Sequence, residues 1–314
     1  MAHTITRRQF LAGMTAGLGL LSGGNLVKRS WATAGSEKGA LRLVFYTDIH
    51  TRTEWETPLA LEKATHAING TNPDLVIAGG DLITDGFQSS AASVEPRWQA
   101  YMRMHRAIKT DLYPTIGNHD LVAAIPEDGS PPALDPRADY LSHMGLDRTY
   151  YSFNAAGYHI VVLDSIRVTG GKLHYQGMIS REQLEWLKQD LSRIHASTPV
   201  VLVTHIPLLT AFFTATEGAT FAAKANRVVT NNLEVFKLIE NHNVILVLQG
   251  HLHISELIRW RDITFIVGGA VCGQWWRGPW YGTQEGFNLL TLTGNRVDWE
   301  YIDYGWEEHR PRGK

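Results

Sequence analysis

Seven residues of metal-ligating type recur in short stretches along the chain: Asp48 and His50 in Asp48-Ile49-His50, Asp81 after Gly79-Gly80, Asn118 in Gly117-Asn118-His119-Asp120, His205 before Ile206-Pro207, and His251 and His253 in Gly250-His251-Leu252-His253. Two carboxylates, one amide oxygen and four imidazoles are enough donors for two cations. A mixed nitrogen and oxygen set suits Mn, Fe or Zn better than Ca or Mg, which prefer all-oxygen shells. A lone His or Asp at such a position more often caps or hydrogen-bonds than binds metal. The weight lies in five stretches sharing one kind of context.

That context is a strand end. Leu41–Tyr46, Asp74–Ala78, Tyr113–Ile116, Val200–Val203 and Val244–Leu248 are short apolar runs, each leading straight into one of the stretches. Helical patterns lie between them over Leu59–Ile68, Arg97–Ile108 and Leu233–Glu240. Ser180-Arg181-Glu182-Gln183 is a capping box before Leu184, Leu187, Leu191 and Ile194. Strand, helix, strand predicts parallel βαβ units, whose strand ends gather functional groups on one sheet edge. Thr149–Phe153 and Tyr158–Leu163 read as a hairpin. Leu257–Arg259, Thr264–Val267, Phe287–Leu292 and Val297–Ile302 read as strands of a β-rich C-terminal half. Ala123 to about Asp139, with four prolines, reads as a long loop beside the site.

The ordered set of motifs resembles the calcineurin-like metallophosphoesterase superfamily, whose signature runs DxH, GD, GNH[ED], H, GHxH. The resemblance spans Asp48 to His253 and implies an α/β layered fold of two mixed β-sheets packed together and flanked by helices. It also implies two divalent metal ions. One is held by Asp48, His50, Asp81 and His253, the other by Asp81, Asn118, His205 and His251, with Asp81 bridging. The reaction implied is hydrolysis of a small phosphate ester by a metal-bridging hydroxide. His119 is then the residue expected to contact the phosphate or protonate the leaving group, with Asp120 fixing its tautomer; the plainer reading of His119 is packing beside the metals. The other histidines, His66, His105, His143, His159, His174, His195 and His242, read as surface or packing residues.

Two departures bear on the branch. Purple acid phosphatases place a tyrosine ligand three residues after the aspartate of GD, and here that residue is Thr84. Ser/Thr protein phosphatases carry an arginine in GDxVDRG and Glu after GNH, whereas this chain has Gly80-Asp81-Leu82-Ile83-Thr84-Asp85-Gly86 and Asp120. The chain looks more like the bacterial cyclic-nucleotide and glycerophosphodiester phosphodiesterase branch. Diester substrates are therefore expected, with phosphomonoesters as the alternative and a non-catalytic binding protein as the remoter one. Gly269–Trp280, with three tryptophans and Arg277, is expected either to wall the substrate pocket through Trp276 and Arg277 or to cover the sheet edge. Arg52 is a weaker pocket candidate.

Composition narrows the rest. The chain has 314 residues, 44% hydrophobic and 19% charged, with a formal net charge of −2. That is ordinary globular material with no basic stretch for a nucleic-acid polymer. Cys272 is the single cysteine, which excludes a disulfide framework. Residues 1–34 read as an export signal, leaving residues 35–314 as one domain. Arg7-Arg8 precedes Phe10-Leu11 and an uncharged, glycine-bearing segment, and Ala32-Thr33-Ala34 offers a cleavage site. The segment is too weakly apolar for a stable membrane anchor. The pair resembles a twin-arginine signal, which implies the twin-arginine translocation machinery as partner and a periplasmic or secreted location.

Overall fold

The computed structural model describes residues 40–309. The expected export signal over residues 1–34 lies outside the described residues. The chain opens with β1 (Ala40–Tyr46), α1 (Thr57–Gly70), β2 (Leu75–Ala78), α2 (Ala91–Ala107) and β3 (Leu112–Pro114), and the three strands pair in parallel. Then come α3 (Ala138–Met144), the hairpin β4 (Tyr151–Ala155) and β5 (Tyr158–Val162), and a smaller hairpin β6 (Ile166–Val168) and β7 (Tyr175–Gly177). These are followed by α4 (Arg181–Leu191), β8 (Val200–Val203), α5 (Phe212–Glu217), α6 (Asn232–Ile239) and β9 (Val244–Gln249). The chain closes with β10 (Glu256–Trp260), β11 (Ile263–Val267), β12 (Gly286–Thr293) and β13 (Arg296–Asp303).

Two mixed sheets result, as expected. One has the order β13-β12-β1-β2-β3 and the other β10-β11-β9-β8-β5-β4. Strand alternation assigns the faces. Leu41, Leu43 and Phe45 of β1 pack with Ile160 and Val162 of β5 and Val201 and Val203 of β8 in the layer between the sheets. Val44 and Tyr46 turn the other way, onto a core with Ala60, Leu61, Ala64, Ile68, Trp98 and Tyr101 from α1 and α2. On the second sheet, Val200 and Leu202 share that outer kind of core with Leu184, Leu187 and Leu191 of α4 and Val235 and Ile239 of α6. Both faces of each central strand are therefore buried, which is why these runs are continuously apolar.

The helix boundaries differ from expectation where a proline lies. α1 starts at Thr57 and carries Pro58 in its first turn, where the missing N–H has no partner to lose. α2 starts at Ala91, well before the expected Arg97, and runs through Pro96. Val94, Trp98 and Tyr101 recur at helical spacing and are buried, and that burial holds the turns around the proline. The Ser180 side chain caps α4 by accepting from Gln183 N. Among the described residues no helix is long and apolar enough to cross a membrane.

Candidate metal centre

The five stretches converge where parallel strands of both sheets end. Beyond β1 and β2 the two chains keep running side by side: Asp48 N donates to Gly80 O (3.0 Å), His50 N to Asp81 O (2.9 Å) and Thr51 N to Leu82 O (3.1 Å). Close approach requires glycine at two points. A Cβ on Gly117 would lie 2.8 Å from Asp81 Cα, and one on Gly250 would lie 2.8 Å from Asp48 Oδ2. Five of the seven ligand candidates sit in the left-handed region: Asp48 (φ 52°), His50 (44°), Asp81 (51°), His251 (73°) and His253 (58°). Asp and His tolerate it better than bulky residues, yet such backbone costs on the order of 1–3 kcal/mol per residue and persists at sites that need it.

All seven ligand candidates are buried, and the two aspartates and four histidines among them lie close together. His205 Nε2 is 3.2 Å and His50 Nε2 3.5 Å from Asp81 Oδ2, while His253 Nε2 is 3.3 Å from Asp48 Oδ1. The Nε2 atoms of His50 and His253 lie 3.1 Å apart. Asp81 belongs to one cluster with His50 and His119 and to another with His205 and His251, and in each the ligand atoms lie within 4.8 Å of one another. This places the Asp81 carboxylate between two donor groups. Cys272, which the sequence motifs do not include, joins a third cluster with His50 and His253.

Outer hydrogen bonds orient the rings. His205 Nδ1 is paired with Gly79 O (2.9 Å), His253 Nδ1 with Gly273 O (2.6 Å) and His251 Nε2 with Asn226 O (2.9 Å). Each bond commits one ring nitrogen as a donor and leaves the other as a lone pair, the arrangement of metal-binding histidines. Asn118 Oδ1 is buried without a hydrogen-bond partner, and His205 Nε2 is buried with the Asp81 carboxylate beside it at 3.2 Å. Buried acceptors are seldom left so, and an orphan amide oxygen with an imidazole nitrogen against a carboxylate fits a pair of cations.

The electrostatics agree. Burial by itself pushes a carboxyl up, but His253 beside it holds Asp48 down at about 2, and His205 and His119 hold Asp81 well below its ordinary value. Burial pushes His205 down, but Asp81 and Asp48 outweigh it and raise the ring to about 9. Burial, with His205 and Arg227 near, lowers His251 to about 3. Positive charge is wanted between the carboxylates, and the fit to two metals rests on that want together with the free lone pairs.

His119 lies at the same place, its ring 4.6 Å from that of His50, and its backbone N–H donates to Asp81 Oδ1 (2.8 Å). The expected Asp120–His119 pair is not formed. Asp120 Oδ1 accepts from Leu82 N (2.8 Å) and Ile83 N (3.2 Å), and Oδ2 accepts from Gly117 N (2.8 Å). Asp120 therefore ties the third ligand loop to the second; burial and the nearby Asp81 push it up to about 8. The tautomer of His119 is set elsewhere: Asp85 N donates to its Nδ1 (3.1 Å), which leaves the proton on Nε2.

The tryptophan loop also departs from expectation. Trp276 is 1% exposed and its Nε1 donates to His50 O (2.9 Å), bracing the first ligand loop rather than facing solvent. Trp275 is the residue against the metal ligands, its ring 4.5 Å from His253 and 5.9 Å from His50. Arg277 is exposed and lies over the Trp55 ring (5.8 Å), where Arg52 also stacks (4.8 Å). Arg52 reaches Thr84 Oγ1 and Glu54 Oε1, each at 3.5 Å. Neither arginine lines the cavity at the metal ligands.

That cavity, about 220 Å³, is lined by Asn118 and His119 together with Phe87, Lys172, His174, Tyr175 and Asn226. His174 packs on Phe87 and also lines this cavity, and the β6–β7 hairpin that carries it has no counterpart in the expected elements. Lys172–Tyr175 has no periodicity to mark it; the glycines at 170 and 171 were the available hint of a turn. The long loop after Ala123 stands behind this lining instead of forming it: Ile125 N donates to Phe87 O (3.0 Å) and Glu127 N to Gln88 O (2.7 Å).

Comparison with known proteins adds to this geometry. A family model described as calcineurin-like phosphoesterase matches residues 41–255. Purple acid phosphatase 15 of Arabidopsis thaliana is 27% identical over 215 residues, which cover 61% of this chain and 37% of that protein. Purple acid phosphatase 22 of the same plant is 26% identical over 196 residues, 60% of this chain and 40% of its own length. The chain thus spans about two fifths of these curated relatives. Among solved structures, a dimetal phosphatase from Danio rerio superposes with a TM-score of 0.58 at 16% identity, covering 84% of this chain and 99% of that one. GAP50, described as the anchor in the inner membrane complex of Plasmodium, gives 0.54 at 14% identity, covering 84% and 85%. At these identities both share the fold.

Proposed function

This chain belongs to the calcineurin-like phosphoesterase family, and from that premise we propose that it hydrolyses phosphate esters, phosphodiesters in preference to monoesters, at a dinuclear centre of Mn, Fe or Zn. The observation that carries the reading is the Asp81 carboxylate lying between the His50 and the His205–His251 donor groups. Two bound cations would neutralise the phosphate and supply hydroxide at neutral pH.

The chain's own residues do the remaining work. Asp48, His50, Asp81 and His253 would hold one ion, and Asp81, Asn118, His205 and His251 the other. Asn118 contributes a neutral donor, which keeps the total ligand charge low. His119 carries its proton on Nε2 while Nδ1 is taken by Asp85 N–H, so Nε2 is the atom able to donate to a phosphoryl or leaving-group oxygen. Thr84 stands where purple acid phosphatases carry a tyrosine ligand, and its carbonyl accepts from Arg97 (2.7 Å). A threonine at this position offers no phenolate, which argues against ferric-tyrosinate chemistry. GAP50 is described as an anchor on the same fold; a complete ligand set favours catalysis here.

Metal-reconstituted protein should turn over bis-nitrophenyl phosphate faster than mono-nitrophenyl phosphate. A strong preference for the monoester would remove the diesterase claim, and metal content without turnover of either would remove the hydrolase claim. Export through the twin-arginine route is part of the same reading, from Arg7 and Arg8. Replacing both by lysine should leave folded precursor in the cytoplasm on fractionation.

A further inference from the structure

We propose that the tip of the β6–β7 hairpin, Lys172 with His174, is the leaving-group subsite and selects esters whose leaving group is planar and carries an anionic substituent; this rests on the hydrolase reading above. Asn118 and His119 both line the 220 Å³ cavity, which puts this space next to the position proposed for the phosphate. The rest of the lining is aromatic and polar. The His174 ring stacks on Phe87 at 6.5 Å with 11° between planes, and Tyr175 lies 5.6 Å from the same Phe87. A cavity of about 150 Å³ takes a benzene ring, so this one has room for a single substituted ring.

The charge of the wall chooses the substituent. Lys172 is the cationic group of the lining, Gln88 and Asn226 add amide donors, and among the described residues no carboxylate lines the cavity. The hairpin is held rather than loose. His174 is left-handed (φ 64°), its N–H donating to Gly171 O (2.9 Å) and its carbonyl accepting from Thr169 N (2.7 Å). At the base, Gly177 N donates to Ala225 O (2.7 Å) and its carbonyl accepts from Thr230 N (2.8 Å), which joins the hairpin to the segment bearing Asn226. This left-handed histidine, fixed at both ends of its own turn and packed on Phe87, is held in the cavity lining.

The test uses full-length, manganese-loaded protein with phenylphosphonate and 3-carboxyphenylphosphonate, whose binding is measured calorimetrically without any need for turnover. Wild type should prefer the carboxylated ligand. Lys172→Glu, a change at an exposed side chain, should weaken that ligand by about fivefold and phenylphosphonate by less than twofold. His174→Ala should weaken both by a similar factor with metal content unchanged. No preference in wild type, no binding of either ligand, or equal weakening of both by Lys172→Glu would overturn the subsite. Turnover of bis-nitrophenyl and mono-nitrophenyl phosphate is read in parallel: selective phosphonate binding with no turnover of either would retain the binding subsite and overturn the hydrolase reading.

Discussion

His119 and Asp120 are consecutive in the chain, yet their side chains serve different partners: the imidazole accepts from Asp85 N–H, while the carboxylate accepts three backbone N–H groups from Leu82, Ile83 and Gly117. His119 sits beside His50 and Asp81, and Asp120 holds the loop that carries it.

Their variants should therefore separate. His119→Ala should keep its melting temperature and metal content while losing ~10²–10⁴-fold in rate on alkyl esters, and much less on nitrophenyl esters, whose leaving group needs no proton. Asp120→Ala leaves buried N–H groups without an acceptor and should cost about 3 kcal/mol of stability. Denaturant melts and pH profiles decide it. An Asp120→Ala protein of full stability with a shifted pH profile would return Asp120 to the role of His119's partner.

Asp81 lies between the two donor groups, so Asp81→Ala should lose both metals and nearly all activity, whereas Asp48→Ala should lose mainly one. Elemental analysis of the purified variants reads this directly. Two ions per chain in Asp81→Ala would end the bridging assignment.

Around the tryptophan loop, Trp276→Phe deletes the bond to His50 O and should cost about 1 kcal/mol together with part of the metal content. Arg277→Ala, at an exposed cation stacked on Trp55, should leave turnover within about twofold, in line with the small worth of exposed charges. A large rise in KM for Arg277→Ala would put that arginine back at the substrate.

A pH-dependent contribution to stability sits far from the metals. His159 Nε2 and Ser152 Oγ each lie 2.8 Å from an Asp190 carboxylate oxygen. Burial pushes the Asp190 carboxyl up, but these hydrogen bonds outweigh it and hold its pKa below the ordinary value. A depressed carboxyl stabilises the fold above the unfolded pKa and stops doing so as pH falls through the folded one. Wild type should thus exceed Asp190→Asn by about 1 kcal/mol near neutrality, with the gap closing below about pH 4. Thermal melts from pH 3 to 7 measure it, and a gap constant across that range would exclude Asp190 as its source.

The strands, their parallel order and the seven ligand candidates were legible in the sequence because each depends on short-range signals. Apolar runs of strand length end at Asp48, Asp81, Asn118, His205 and His251, and glycines stand where backbones must approach. Ligand chemistry is written in residue type, which no fold alters. The partner of His119 was not legible: Asp85 is 34 residues away, and only the packing of two loops brings its N–H to that ring. Trp275 and Trp276 are indistinguishable by type; both adopt positive φ (48° and 67°), and the turn lays one on His253 and sends the other to His50 O, 226 residues distant. The same holds for His174, which lacks periodicity and motif and becomes part of the cavity lining because a two-strand hairpin, too short to signal itself, folds its tip against Phe87. Local pattern specified what each strand end could bind; the direction of side chains in left-handed turns and the contacts between distant loops were decided by tertiary packing, since neither follows from propensities that act over a few residues.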